Sequence, residues 1–247
     1  MYNIYFSFLL PFTSIAVTPY PSFLILFTII CACTTNSSQN NNSNGDTAKE
    51  AQMRAMGLVD IHDLDSTIAV DLIYAKPYNF MGRVLYHNVN KAFMLPETAQ
   101  KLVKANKLLK SIRPDLNLIV YDAARPISIQ QEMWDSVKGT DKEDFVANPA
   151  KGGGNHNFGN AVDVTIIDCT GHPIAMGAEY DCFADQSRVN IEQQLLDEGI
   201  ITKRELENRL LLRKVMTESG LLTIDEEWWH FDNRPTKYAR ANFEKIP

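Results

Sequence analysis

Basic residues are missing from the start of the chain: Met1 to Asp46 holds no Lys, Arg or His. The remainder has no Lys/Arg cluster either, and 30 acidic against 24 basic residues give a formal net charge of -6. A mildly acidic chain without a basic patch lacks the electrostatic footprint of nucleic-acid binding, which directs attention to a small-molecule or peptide site. There is no long hydrophobic run in the leading segment. The apolar stretch Pro21 to Ala32 (PSFLILFTIICA) falls short of the roughly 20 residues that a membrane-crossing helix needs. No internal repeat and no second linker are found, and 247 residues suffice for one well-buried domain with appendages rather than two domains.

What is present at the beginning reads as an export signal. Pro21 to Ala32 suits the apolar region of a signal peptide, although the positive charge usual ahead of it is absent. Ile30-Cys31-Ala32-Cys33 resembles a bacterial lipobox, with Cys33 as the residue to be acylated; a cleaved signal without lipid is the plainer alternative. Thr34 to Gly45 (TTNSSQNNNSNG) reads as a polar tether. The expected division is a lipoprotein-type signal over 1–32, a tether over 33–49 and a folded domain over 50–247. It implies a membrane anchor at Cys33 on the periplasmic side of the cell envelope. Of four cysteines, Cys169 and Cys182 fall in the folded part, where export permits a disulfide and two buried thiols are the alternative.

Within the folded part, Ile68, Val70, Leu72 and Tyr74 alternate as in a half-buried strand. Leu95 to Ile112 has helical spacing and is stopped by Pro114. Leu116 to Tyr121 (LNLIVY) reads as a strand, Ser128 to Val137 as a helix and Ala161 to Ile167 (AVDVTII) as a strand. Thr202 to Ser219 reads as a helix with Leu206, Leu210, Leu211 and Val215 on its apolar face and Gly220 as its stop. Glu227 to Phe231 returns to strand character. Strands and helices mix without a βαβ rhythm, so the fold class is α+β rather than doubly wound.

Only five histidines occur: His62, His87, His156, His172 and His230. His156 follows three consecutive glycines by two positions, and Gly159 then permits a sharp reversal. Asp163 comes next on an apolar strand, where an ionised carboxylate is costly unless it is paired or binds metal. His plus Asp is half of a zinc site. His230 supplies a third ligand and leaves the fourth position open. Glu227, three residues before His230, is placed as the general base for metal-assisted hydrolysis. Taken singly, His156 could be a loop hydrogen-bonder, Asp163 a turn cap and Glu226-Glu227-Trp228-Trp229-His230 packed aromatics. The joint pattern His-x6-Asp with a distant Glu-x-x-His is far more specific.

These residues carry a resemblance to the VanX-type D-alanyl-D-alanine dipeptidases, within the wider zinc D,D-peptidase and hedgehog-like superfamily. The resemblance runs from about Gly57 onward. The superfamily pattern Ser-x-His-x-x-Gly-x-Ala-x-Asp is met by His156, Gly159, Ala161 and Asp163, with Gly154 standing where the family has Ser. Glu227 and His230 meet Glu-x-x-His, including both tryptophans. The resemblance implies one Zn2+ per chain on His156, Asp163 and His230, with Glu227 as catalytic base. It also implies a single domain with a mixed, mainly antiparallel sheet flanked by helices. Tyr121-Asp122-Ala123-Ala124-Arg125-Pro126 looks like the family's Asp-x-x-Arg-Pro motif, which makes Arg125 the stabiliser of the oxyanion; a structural Arg125–Asp122 pair is the alternative. Met176-Gly177-Ala178-Glu179-Tyr180-Asp181 resembles Met-Gly-x-x-Phe-Asp, in which the Asp holds the substrate ammonium, hence Asp181. Segments Asp71 to Ala75 and Asn79 to Gly82 also match, placing Tyr74 and Tyr86 at the substrate pocket, or else as ordinary core or rim aromatics. His62, His87 and His172 fall outside the motifs, at the surface or behind the site.

The activity implied is zinc-dependent hydrolysis of D-Ala-D-Ala to D-alanine. A D,D- or L,D-carboxypeptidase acting on peptidoglycan stem peptides shares the metal site but has no need of a closed ammonium pocket. A non-catalytic zinc-containing wall-binding protein has no need of Glu227 or Arg125.

Overall fold

The computed structural model describes residues 45–247. The signal, Cys33 and most of the tether lie outside the described residues. Among the described residues no helix is long and apolar enough to cross a membrane.

Helix α1 (Ala48–Ala55) starts two residues ahead of the expected domain boundary. Thr47 and Glu50 close a capping box there, which satisfies two otherwise orphaned backbone donors. Strand β1 (Val59–Asp60) follows. Strand β2 (Ala69–Val70) is all that forms of the strand expected over Ile68 to Tyr74. The amide of Asp71 still donates to Val120 O at 2.9 Å, but the chain then coils into a 3-10 turn over Ile73–Ala75 that buries Tyr74. Strand β3 (Phe93–Met94) pairs with β1 in a separate two-stranded ladder.

Helix α2 (Pro96–Ile112) has Pro at its first turn, where a missing N–H costs nothing. Strand β4 (Leu116–Asp122), helix α3 (Ile127–Val137) and strand β5 (Ala161–Asp168) match expectation to within a residue. Helices α4 (Glu192–Asp197) and α5 (Lys203–Glu218) follow. Strand β6 (Leu222–Thr223), strand β7 (His230–Asp232) and helix α6 (Thr236–Asn242) complete the domain. The expected strand over Glu227 to Phe231 begins only at His230. Before it, the Trp228 amide donates to Ser187 O, and Trp229 O accepts from Val164, so Glu227 sits on a turn.

The main sheet has the order β2-β4-β5-β7-β6. Only β2–β4 is parallel; the other three pairings are antiparallel. This is the mixed, mainly antiparallel α+β sheet expected. Val162, Val164 and Ile166 of β5 are fully buried, as are Leu118 and Val120 of β4, and they join Leu102 and Leu109 of α2 and Leu212 and Met216 of α5 in one apolar core. A bulge between Val120 and Asp122 shifts the β4–β5 register, so that Asp122 lies opposite Asp163. Asp163 in turn lies opposite His230 on β7. Three polar residues thus form a row across the sheet. Bulges re-aim side chains beside functional sites.

Helix α5 corrects the expected apolar face. Its buried residues are Arg209, Leu212, Val215 and Met216, while Leu210 is 47% exposed. The guanidinium of Arg209 makes the difference. It donates to Met176 O at 2.5 Å and to Gln186 O at 2.7 Å, and stands 3.5 Å from Glu192 Oε1. Buried Nη1 has only this ion-pair contact with Glu192, while the other two contacts are hydrogen bonds, and a buried Arg so paired is tolerated where an unpaired one is not. Its two carbonyl partners flank the loop that carries Asp181. Cys169 and Cys182 are both free, with Cys169 exposed, so neither the disulfide nor a pair of buried thiols is found. Replacing Arg209 by Met strands the two carbonyls and leaves Glu192 to Arg213 alone, whose Nη2 donates to both of its oxygens at 2.7 and 2.6 Å. Urea unfolding should show a loss of about 2 kcal/mol for Arg209→Met, the scale for leaving buried acceptors without donors; a loss below about 0.5 kcal/mol would remove Arg209 from this role.

Candidate metal centre

His156 is delivered by a 3-10 turn over Asn155–Phe158 that ends at Gly159 in the left-handed region, φ +65°. A Cβ at residue 159 would lie 2.9 Å from Leu58 Cδ2 and 3.2 Å from Leu95 N, so only glycine allows the reversal. The turn places His156 over the end of β5, where the strand register has already set Asp163 beside His230.

Three donor atoms then converge. His156 Nε2 lies 3.2 Å from Asp163 Oδ1 and 3.1 Å from His230 Nδ1, and His230 Nδ1 lies 3.0 Å from Asp163 Oδ1. The opposite nitrogen of each ring is already committed. His156 Nδ1–H donates to Ala123 O at 2.7 Å, and His230 Nε2–H donates to Asp232 Oδ1 at 2.8 Å. Each partner fixes a tautomer that turns a lone pair toward Asp163. Two lone pairs and a carboxylate oxygen facing one another repel unless a positive charge lies among them. Donors about 2.0–2.1 Å from a tetrahedral zinc are about 3.3 Å apart, close to the edges of this triangle. The residues therefore fit zinc in both donor type and spacing. All three are buried. Burial raises the Asp163 pKa, but positive charge on the two imidazoles outweighs it and holds the carboxyl well below its ordinary range; with the rings neutral, a metal would supply that charge.

The remaining candidates surround a cavity of about 240 Å³, lined among others by Tyr74, Arg125, Asp181, Glu227 and the three donors. That is below the roughly 300–1,000 Å³ of drug-sized sites and suits a small ligand. Glu227 Oε2 lies 3.8 Å from His230 Nδ1. Burial, against the pull of His230, pushes the Glu227 carboxyl up to about 8. Arg125 does pair with Asp122, through Nε at 2.9 Å and Nη2 at 2.5 Å. It also reaches Gln130 Oε1 at 2.9 Å and still lines the cavity, with Nη2 3.9 Å from Asp163 Oδ2. Pairing and a place at the site are thus compatible.

Asp181 has φ +62°, the only positive value outside glycine among the described residues. Its Oδ1 accepts from Tyr74 OH at 2.7 Å, while its buried Oδ2 finds no partner among them. Burial pushes this carboxyl up to about 7. Tyr74 is at the cavity wall, as expected. Tyr86 is not among the lining residues: it lies behind the cavity, and its hydroxyl donates to Asp122 Oδ1 at 2.6 Å. The hydroxyl is drawn to the fully buried carboxylate that orients Arg125, so Tyr86 reaches the site only through Asp122. His62, His87 and His172 are exposed.

Asp232, Tyr180 and Gln130 were missed from sequence. Asp232 had a legible signal, since residues two apart on a strand share a face. Tyr180, whose hydroxyl donates to Asp163 Oδ2 at 2.9 Å, and Gln130, held by Ala147 O at 2.9 Å, gave none.

Comparison with known proteins agrees with this geometry. The family model Peptidase M15, D-Ala-D-Ala dipeptidase, matches residues 54–246. A D-alanyl-D-alanine dipeptidase of Escherichia coli (strain K12) is 28% identical over 175 residues, covering 71% of this chain and 83% of the relative. One from Synechocystis sp. is 30% identical over 60% of this chain and 72% of its own length. One from Enterococcus faecium is 26% identical over 76% and 97%. With its donor triangle and adjoining carboxylate inside the matched region, this chain belongs to the Peptidase M15, D-Ala-D-Ala dipeptidase family of metallopeptidases.

Proposed function

We propose that the chain hydrolyses D-Ala-D-Ala to free D-alanine with one zinc ion held by His156, Asp163 and His230. The observation that carries this reading is the pairing, in one small cavity, of the donor triangle with Asp181, a buried carboxylate with one oxygen left without a partner. Zinc at those donors would supply Lewis acidity toward the scissile carbonyl and the attacking water. Glu227 takes the proton of that water and passes it to the leaving amine, a task suited to a carboxyl whose pKa is raised toward neutrality. Arg125, held by Asp122 and Gln130, meets negative charge developing on the carbonyl oxygen. Asp181 receives the dipeptide's ammonium through a charge-assisted hydrogen bond. Such a pocket favours a dipeptidase over a carboxypeptidase, whose substrates continue past that point. We also infer a lipid tether at Cys33 and a periplasmic-side location in the cell envelope, on the strength of the lipobox-like Ile30-Cys31-Ala32-Cys33.

His156→Ala or His230→Ala should remove bound zinc, measured by elemental analysis, together with activity; full zinc occupancy in either variant contradicts the ligand assignment. Glu227→Gln should retain zinc and lose about 10²–10⁴-fold in rate. Arg125→Ala should lower kcat more than it raises KM, and an effect on KM alone excludes the oxyanion role.

Asp181 gives a test with two readouts. Asn also tolerates a left-handed backbone, so Asp181→Asn removes charge without adding strain. D-Ala-D-Ala should be cleaved about 30-fold or more faster than its N-acetyl form by the wild type, and Asp181→Asn should narrow that gap. Equal wild-type rates on the two substrates favour the carboxypeptidase. Because the folded-state pKa lies above the ordinary value, this group favours folding while neutral, and the contribution is lost as pH rises through about 7. Asp181→Asn should therefore raise the Tm more at pH 8 than at pH 5. For the tether, labelled fatty acid should be incorporated in a bacterial host with lipoprotein processing. Cys33→Ser should abolish it, and unchanged labelling would argue for ordinary secretion.

A further inference from the structure

Asp163 gives the donor triangle only one of its two oxygens. Oδ1 faces His156 Nε2 at 3.2 Å and His230 Nδ1 at 3.0 Å. Oδ2 is turned away and accepts from Tyr180 OH at 2.9 Å. Arg125 Nη2 stands 3.9 Å from that oxygen, beyond hydrogen-bond reach, and the guanidinium is bonded to Asp122 and Gln130 instead. The terminal torsion of an aspartate is broad and roughly two-fold, so nothing in Asp163 itself keeps its second oxygen out of the triangle. Among the described residues, the Tyr180 hydroxyl is the hydrogen-bond donor that does so.

That hydroxyl is itself held in place. The Tyr180 ring packs at 5.3 Å against Tyr121 on β4, at 5.3 Å against Trp229 and at 6.2 Å against Tyr74. The loop that carries it is anchored by Arg209, which donates to Met176 O on one side and Gln186 O on the other. The single Tyr180 proton has two acceptors within reach, since Tyr74 OH lies 3.4 Å away. The Tyr74 proton goes to Asp181 Oδ1 at 2.7 Å. Asp163 is the nearer acceptor and the charged one, and charge-assisted bonds are the stronger, so Tyr180 donates to Asp163. Met-Gly-x-x-Phe-Asp, the pattern that Met176 to Asp181 resembles, has no hydroxyl at this position. The contact therefore belongs to this sequence rather than to the pattern.

We infer that Tyr180 is a positioning residue for the metal centre: its hydroxyl fixes the rotation of Asp163 so that Oδ1 alone faces the two imidazoles. This role rests on the zinc reading of the donor triangle. A hydrogen bond to a ligating carboxylate holds it ready for the metal, and losing such a partner typically costs about 10–100-fold in metal affinity or activity. A second oxygen turned in from Asp163 would also take up room that a catalytic zinc site keeps free for water or substrate.

Tyr180→Phe removes the hydroxyl and keeps the packed ring. Zinc affinity, measured on the full chain by competition with a chromophoric chelator, should fall about tenfold or more in this variant, because the carboxylate must then be ordered as the metal binds. Cobalt(II) in place of zinc gives a second readout, one that ring packing does not move. Its visible bands should weaken in Tyr180→Phe, since Oδ2 is then free to turn in as an added ligand and cobalt absorbs less strongly as its coordination number rises. Tyr74→Phe takes away the neighbouring hydroxyl, whose proton serves Asp181, and should leave zinc affinity and the cobalt spectrum as in the wild type. Undiminished zinc affinity in Tyr180→Phe, or coincident cobalt spectra of that variant and the wild type, would overturn the positioning role and leave the zinc reading intact. Equal losses in Tyr180→Phe and Tyr74→Phe would overturn it as well, since the loss of either hydroxyl would then do the same. A wild type that takes up no zinc would overturn both.

Discussion

A carboxylate has to remain ionised inside an apolar sheet, and the architecture of the site follows from that requirement. Asp163 is 3% exposed on a strand whose other residues, up to Asp168 at its end, are Ala, Val, Ile and Thr. Left alone it would neutralise or unfold its surroundings. Its Oδ1 is met by two imidazoles, and its Oδ2 by the Tyr180 hydroxyl with Arg125 beyond. Each of those groups arrives from a different segment: a glycine-closed turn, strand β7, the loop after β5 and the end of β4. The domain is built so that these segments meet at one carboxylate, and the β4 bulge and the β5–β7 register are the local means.

The same logic extends outward by one step in each direction. Ala123 O and Asp232 hold the histidines; Asp122 and Gln130 hold Arg125; Tyr86 holds Asp122. Donors and acceptors alternate along this chain, so each buried polar group in it has a hydrogen-bond partner. Asp181 departs from the pattern. It keeps an oxygen without a partner and a left-handed backbone, and both features cost stability.

Elements with their own punctuation were legible in the sequence. Helix α2 sits between Pro96 and Pro114, and α5 between Thr202 and Gly220; strands β4 and β5 are long enough to show β-branched character. Strands β1, β2, β3 and β6 have two residues each, too few for any period to emerge, and tertiary pairing alone defines them. On α5 the apolar pattern misled because Arg209 occupies a core position, and its acceptors come from a loop more than twenty residues away. The metal-binding candidates stood out because each was a polar residue in apolar or glycine-rich company. Tyr86 could not be placed, since an aromatic with a hydroxyl serves a pocket wall or a buried hydrogen bond equally well.

Gly154, where the family has Ser, faces Ala147 across the mouth of the metal cavity, and a Cβ on residue 154 would come within 3.1 Å of the Ala147 Cβ. Such spacing demands a shift of a few tenths of an ångström from a loop whose Ala147 carbonyl is tied to Gln130, itself bonded to Arg125. The two positions are thus epistatic. Gly154→Ser in one step would disturb the residue that orients the guanidinium. The same change made on an Ala147→Gly background would meet no obstruction there. What residue 154 can carry is therefore set at residue 147.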